Sequence, residues 1–191
     1  KKDLKSVINN TYNGKRFILL PEQKEKYNCL EDIRLSISDA LLSIPDTTNK
    51  KIIICLLNSS LYVDKSIKCN GSIEAQVIST MSTLYGFDKY KSDKYPYPQS
   101  VHFYTDIDEN IKRYINIGKN ISLVRDLGNE PGNKLDPVIY SNLIKKNAKN
   151  YTVQIMKEDQ LKKLGLNSIL HMSKGSSKPA RFVIIRYNGL K

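Results

Sequence analysis

Residues Gly118 to Pro137 read GKNISLVRDLGNEPGNKLDP, and this stretch decides how the chain is divided. A basic helical segment runs into an R-D-L-x-N-x-P-x-N turn, and a Leu-Asp-Pro helix start follows. Asn129, Pro131, Gly132 and Asn133 are residue types that tolerate or fix turn geometry, so the motif is first a chain reversal between helices. Asp136 and Pro137 supply an N-cap and a first-turn residue whose missing amide is no loss. The expected division is a first α/β domain over 1–106, a connecting helix over 107–127 acting as a stiff spacer, and a second α/β domain over 128–191.

Working outward towards the amino terminus, Arg16 to Leu20 is a short apolar run closed by Pro21, which reads as a first strand. From Leu30 to Ile44, apolar residues fall at three- and four-residue spacings and predict a helix ended by Pro45. Lys51 to Leu57 is an unbroken aliphatic run, as expected for a strand covered on both faces of a mostly parallel sheet. A helix over about Ser72 to Tyr85, a strand over Ser100 to Thr105 and a long helix capped by Asp106 or Asp108 follow. Beyond the turn, a helix to about Lys149, a strand over Tyr151 to Met156, a short helix from about Glu158 to Leu164 ended by Gly165, and a strand over Arg181 to Tyr187 continue the pattern. Such alternation argues for an α/β fold with right-handed crossovers, because a helix must return the chain before a parallel strand can pair.

The chain has 191 residues, enough for one large domain or one and a half smaller ones, and 40% apolar content supports a real core. Its longest apolar run, Ile52 to Leu57, is strand-sized, so no membrane span is expected. The start on Lys1 and Lys2 rather than Met is read as trimmed, with a cut pre-sequence as the other reading. Cys29, Cys55 and Cys69 lack C-x-x-C pairing and are expected to be buried reduced thiols of a cytosolic protein. His102 and His171 are each flanked by apolar residues and read as packed or surface residues rather than ligands.

A net charge of +12 creates a field that attracts nucleic acid or acidic surfaces. The lysines nevertheless occur in short groups, Lys24 to Lys26, Lys145 to Lys149 and Lys162 to Lys163, which is also the pattern of a solvated surface. Tyr90, Tyr95 and Tyr97 among Lys89, Lys91 and Lys94 are the best candidate for a nucleic-acid face, since aromatic rings stack bases while lysines meet phosphates. The same tyrosines could instead coat an irregular loop held by Pro96 and Pro98.

Other constellations have two readings as well. Arg125 and Asp126 form either a recognition pair or a helix end in which a cation offsets the dipole. Lys174-Gly175-Ser176-Ser177 suggests a phosphate cradle, yet it lacks the Walker spacing and leads into a strand. Asp106, Asp108 and Glu109 could hold a hard cation, but acids are also expected at a helix start. With no H-E-x-x-H, nucleophile elbow or G-x-G-x-x-G present, the residues offer no catalytic, metal-binding or cofactor-binding set.

Together with YGFDKYKSDK (85–94) and KGSSKPARFVIIRYNG (174–189), the opening stretch resembles the leucyl (cytosol) aminopeptidase family of metallopeptidases, in the family's order. Residues 1–82 match only in their pattern of strands and helices. The resemblance implies an amino-terminal macro-like domain with a mostly parallel sheet, a connecting helix and the start of a catalytic α/β domain. It also implies a cytoplasmic homohexamer that removes amino-terminal residues from peptides with two divalent ions, zinc, manganese or magnesium. Such a pair lowers the pKa of a bridging water and polarises the scissile carbonyl. In that family the catalytic and metal-binding groups come after the position of Tyr187, Asn188 and Gly189, beyond Lys191. The expectation is therefore that this chain carries none of them, is inactive alone, and exposes a half-built second sheet that makes it poorly soluble or dependent on a missing portion. Some members of the family bind DNA as well as cleaving peptides, so a non-catalytic nucleic-acid-binding or assembly module is the alternative.

Overall fold

A computed structural model describes residues 8–12, 15–19, 29–44, 46–48, 50–56, 71–105 and 110–189. The expected N-caps Asp106 and Asp108, the proposed cation group of Asp106, Asp108 and Glu109, and Lys24 to Lys26, Pro45 and Cys69 lie outside them. The chain divides into two compact units, Lys1–Asp126 and Leu127–Lys191.

The first unit begins with a hairpin of β1 (Ile8–Tyr12) and β2 (Lys15–Leu19), paired antiparallel from Ile8 with Leu19 to Tyr12 with Lys15. β1 has no counterpart in the sequence reading. The residues between the two strands in sequence are Asn13 and Gly14, the pair favoured by two-residue hairpin connections.

The core of this unit is built by α1 (Cys29–Leu42), β3 (Lys51–Cys55), α2 (Ser72–Thr83) and β4 (Ser100–Tyr104). β3 and β4 run parallel, in register from Lys51 with Ser100 to Cys55 with Tyr104, with α2 carrying the chain back between them. Ile37 and Leu41 of α1 pack on Ile52 of β3, while Ile73 and Val77 of α2 pack on Leu56. These are the apolar positions that helical spacing brings to one face. Small polar residues let the helices meet: Ser38 Oγ lies 2.7 Å from Thr83 Oγ1, and Ser79 Oγ donates to the Arg34 carbonyl at 2.8 Å. α2 starts at Gly71, whose φ of 87° favours glycine.

β3 is not covered on both faces as its unbroken aliphatic run suggests. Ile52 is buried, but Ile53 is 67% exposed and Cys55 is exposed too, which corrects the expectation of a buried thiol there. α1 and α2 cover one side only, and the pleat sends alternate residues to the other. The side chain of Cys29 is outside the description.

α3 (Ile111–Asn129) packs its first turns on the first unit, with Ile111, Tyr114 and Ile115 against the Leu56, Ile73 and Val77 cluster. Asn110 precedes its first turn, and its Oδ1 accepts from the Arg113 amide at 3.2 Å. Gly118 is buried against α2, and a Cβ there would lie 2.7 Å from Met81 Cβ.

The second unit contains α4 (Pro137–Asn147), β5 (Thr152–Met156), α5 (Glu158–Lys163), α6 (Asn167–Ser173) and β6 (Phe182–Arg186). β5 and β6 pair antiparallel, Thr152 with Arg186 through Met156 with Phe182. The sequence reading placed one helix between these strands, which would return the chain for a parallel partner. Two short helices occupy the interval and the pairing is antiparallel, which needs no single returning helix. Gly165, at φ 69°, separates them. Leu161 is fully buried and Ala180 nearly so.

Candidate functional site

Two of the three motif segments meet in the first unit, at the end of α2. Tyr85, just past α2, donates its hydroxyl to Asp126 Oδ1 at 2.7 Å. The Arg125 guanidinium lies 4.0 Å from the centre of the Tyr85 ring, and its Nη1 donates to the Ser82 carbonyl at 2.9 Å. Adjacent residues of α3 thus grip one tyrosine by its face and by its hydroxyl. Ser82 is in the last turn of α2, so Arg125 does offset a helix dipole, but that of α2 and not of its own helix.

The loop that follows folds onto the same corner. The Tyr97 hydroxyl donates to the Gly86 carbonyl at 2.6 Å, and the Tyr95 amide donates to Asp88 Oδ2 at 2.9 Å. Tyr95 lies over Gly86 where a Cβ would collide with its ring, and it pairs with Tyr97 at 5.3 Å between centroids. Burial pushes the Tyr97 hydroxyl above its ordinary pKa, and the charges of Asp88 and Asp126 act in the same direction. Lys94 Nζ donates to the Asp88 carbonyl at 3.1 Å, while Lys89 stands 5.3 Å from the Tyr90 ring. Lys89, Tyr90, Lys94, Tyr95 and Tyr97 are thus engaged with the loop itself.

In the second unit, Asp136 caps α4 as its position before Pro137 predicts, Oδ1 accepting from the Ile139 amide at 2.8 Å. That hydrogen bond, with Lys178 at 3.4 Å, holds its carboxyl below the ordinary carboxylate value. Pro131 opens the turn before it, its carbonyl accepting from the amides of Lys134 at 2.8 Å and Leu135 at 3.0 Å. In the Lys174 to Ser177 segment, Ser176 Oγ accepts from the Lys178 amide at 3.1 Å and the Ser176 amide donates to the Ser173 carbonyl at 3.0 Å. The segment is a self-bonded turn out of α6. Glu158 Oε1 accepts from the Ala180 amide at 2.9 Å and pins the start of β6.

His102 is exposed on β4 and meets Ser100 Oγ at 2.9 Å, and His171 is exposed in the last turn of α6. Among the described residues no group of three His, Cys, Asp or Glu is placed to hold a metal ion. The donor set of the described residues does not fit a two-metal centre. Among the same residues no helix is long and apolar enough to cross a membrane. The sequence reading missed Tyr85 as the partner of Arg125 and Asp126, since a contact across 41 positions leaves no local signal.

The family model described as "Cytosol aminopeptidase family, catalytic domain" matches residues 122–191. A probable cytosol aminopeptidase of Wigglesworthia glossinidia brevipalpis is 33% identical over 202 residues, covering 95% of this chain and 39% of that protein. A probable cytosol aminopeptidase of Clostridium tetani is 26% identical, covering 99% of this chain and 40% of its own length. The chain thus spans about two fifths of these relatives. Among solved structures, a mutant of tomato leucine aminopeptidase superposes with a TM-score of 0.65 at 15% identity, covering 96% of this chain and 38% of that one. A bottromycin maturation enzyme in complex with Mn gives a TM-score of 0.65 at 19% identity, covering 83% and 33%. These two likenesses establish the α/β fold.

Proposed function

The chain belongs to the cytosol aminopeptidase family, and from that premise we propose that it forms the front part of a metal-dependent leucyl aminopeptidase releasing amino-terminal residues from peptides. The observation that carries this reading is the match of residues 122–191 to the family's catalytic domain, joined to 95% coverage by a relative of that name. On this reading residues 1–106 are a macro-like domain, 107–127 a connecting helix and 128–191 the opening of the catalytic domain. The segment supplies folding and assembly surfaces, and the peptide is cut by groups elsewhere in the parent enzyme.

The parent would use two divalent ions, zinc, manganese or magnesium, and work as a cytoplasmic homohexamer. The names of the relatives support the cytosolic peptidase part of that assignment and the Mn complex of one structural neighbour supports a divalent metal, while the ion count and the hexamer rest on the family resemblance alone. The test is release of leucine from a chromogenic leucyl amide by the full-length protein. Activity is expected with added manganese and loss with a chelator. Inactivity with all three metals would leave the family likeness without the activity. The 191 residues alone are expected to be inactive.

A second reading, binding of nucleic acid, is favoured by the uneven charge. Residues 127–191 hold twelve Lys and Arg against four Asp and Glu, or +8 of the chain's +12. Counterion release makes such binding fall steeply with salt. Binding that is absent, or flat from low to physiological salt, removes this reading.

A further inference from the structure

The last turn of α3, Asp126 to Asn129, is poorly suited to be helical by itself. It holds Gly128 and Asn129, which lie low in helix propensity, and no basic residue. It also places a carboxylate, Asp126, at the negative end of the helix dipole, where an anion is unfavourable. The turn is nevertheless wound through Asn129. What sets it apart is the grip described above: Tyr85 hydroxyl on Asp126 Oδ1 at 2.7 Å, and Arg125 across the Tyr85 ring at 4.0 Å and on the Ser82 carbonyl at 2.9 Å.

We infer that Tyr85, Arg125 and Asp126 form a latch that keeps the carboxy-terminal turn of α3 wound against its own local preference. Tyr85 and Asp126 are positioning residues in this sense: they act on the backbone that leads into Leu127, the first residue of the second unit. The residues concerned belong to two motifs far apart in sequence, YGFDKYKSDK and RDLGNEPGN, and the latch gives both one physical reason. It does not rest on the aminopeptidase reading.

The substitution Asp126→Ala separates this idea from its opposite by sign. Judged by local factors alone, alanine improves the helix, because it has the highest propensity and removes the adverse charge. Judged by the latch, it removes the acceptor of the Tyr85 hydroxyl and loosens the turn. The experiment is amide hydrogen exchange on the full-length protein, comparing residues 126 to 129 with residues 115 to 118 of the same helix. Asp126→Ala is expected to speed exchange in the last turn about tenfold or more with the reference turn little changed, on the scale of one hydrogen bond to a charged group. Asp126→Asn, which keeps an acceptor oxygen, should restore most of the protection. Tyr85→Phe, which keeps the ring under Arg125, should act in the same direction as Asp126→Ala and provides the result if the alanine variant does not fold. Slower or unchanged exchange at 126 to 129 in Asp126→Ala or Tyr85→Phe, or an equal rise along the whole helix, overturns the latch.

Discussion

Gly118 of α3 and Met81 of α2 are in such close approach that a single methyl on the glycine would lie 2.7 Å from Met81 Cβ and 2.8 Å from its Cγ. Cγ can turn away about χ1, but Cβ is fixed by the backbone and cannot, so one helix would have to move. Gly118→Ala is therefore expected to destabilise the protein. Overpacking costs typically about 1–3 kcal/mol, against a propensity gain of about 1 kcal/mol for alanine in a helix. Urea unfolding should show a lower midpoint, and adding Met81→Gly, which takes away that Cβ, should recover part of the loss specific to the clash. A midpoint raised by Gly118→Ala would refute the tight contact.

Asp136 gives an acid-side prediction. Its carboxyl is held below the ordinary value, first by the Ile139 amide and then by Lys178. A lowered folded-state pKa contributes stability that is fully present above the unfolded value of about 3.9 and is lost as pH falls through the lowered one. Asp136→Ala should lower the melting temperature by a few degrees at neutral pH. The difference from the unaltered protein should shrink on acidification below that window. A constant difference from neutral to strongly acidic pH would show that the carboxylate is not the source.

Tyr97 predicts the opposite limb. Its pKa is raised, so its contribution is complete below the unfolded value of about 10 and declines as pH rises through the folded one. Tyr97→Phe should flatten the alkaline loss of stability followed by thermal melts. An unchanged alkaline limb would mean that the hydroxyl is as free in the folded protein as in the unfolded chain.

Leu161 is fully buried in the second unit, where few other apolar side chains are. Leu161→Ala is expected to cost roughly 2–5 kcal/mol. Hydrogen exchange should show lost protection in β5 and α5. Retained protection there would place the core of this unit elsewhere.

Much of the fold could be read from local pattern because its causes are local. The spacing of Ile33, Ile37, Ala40 and Leu41 gave α1, and Asp136 before Pro137 gave the start of α4. The readings that failed depend on what lies across space. A run such as Lys51 to Leu57 has the same composition whether one face or two are covered, and its exposed Ile53 and Cys55 follow from helices packing on one side only. α6, which the sequence reading did not place, is a seven-residue helix whose residues are all at least partly exposed and so leave little apolar periodicity to detect. The hairpin of β1 does have a signal, Asn13-Gly14, but Ile8 to Tyr12 is too polar to read as a strand by itself. At the candidate site, Arg125 and Asp126 stood out in sequence, but their partner Tyr85 could be found only in three dimensions.

The tilted contact between the Tyr95 and Tyr97 rings also bears on what light can report about this molecule. The chain has 12 tyrosines and no tryptophan. Two of those chromophores are in ring contact beside Gly86, whereas Tyr140 and Tyr187 of the second unit are 44% and 66% exposed. Near-ultraviolet dichroism will accordingly carry a contribution from this corner of the first unit that exposed Tyr140 and Tyr187 do not match. A denaturation curve recorded that way can be complete while Leu127 to Lys191 remains folded, so the second unit has to be followed by an amide-based probe.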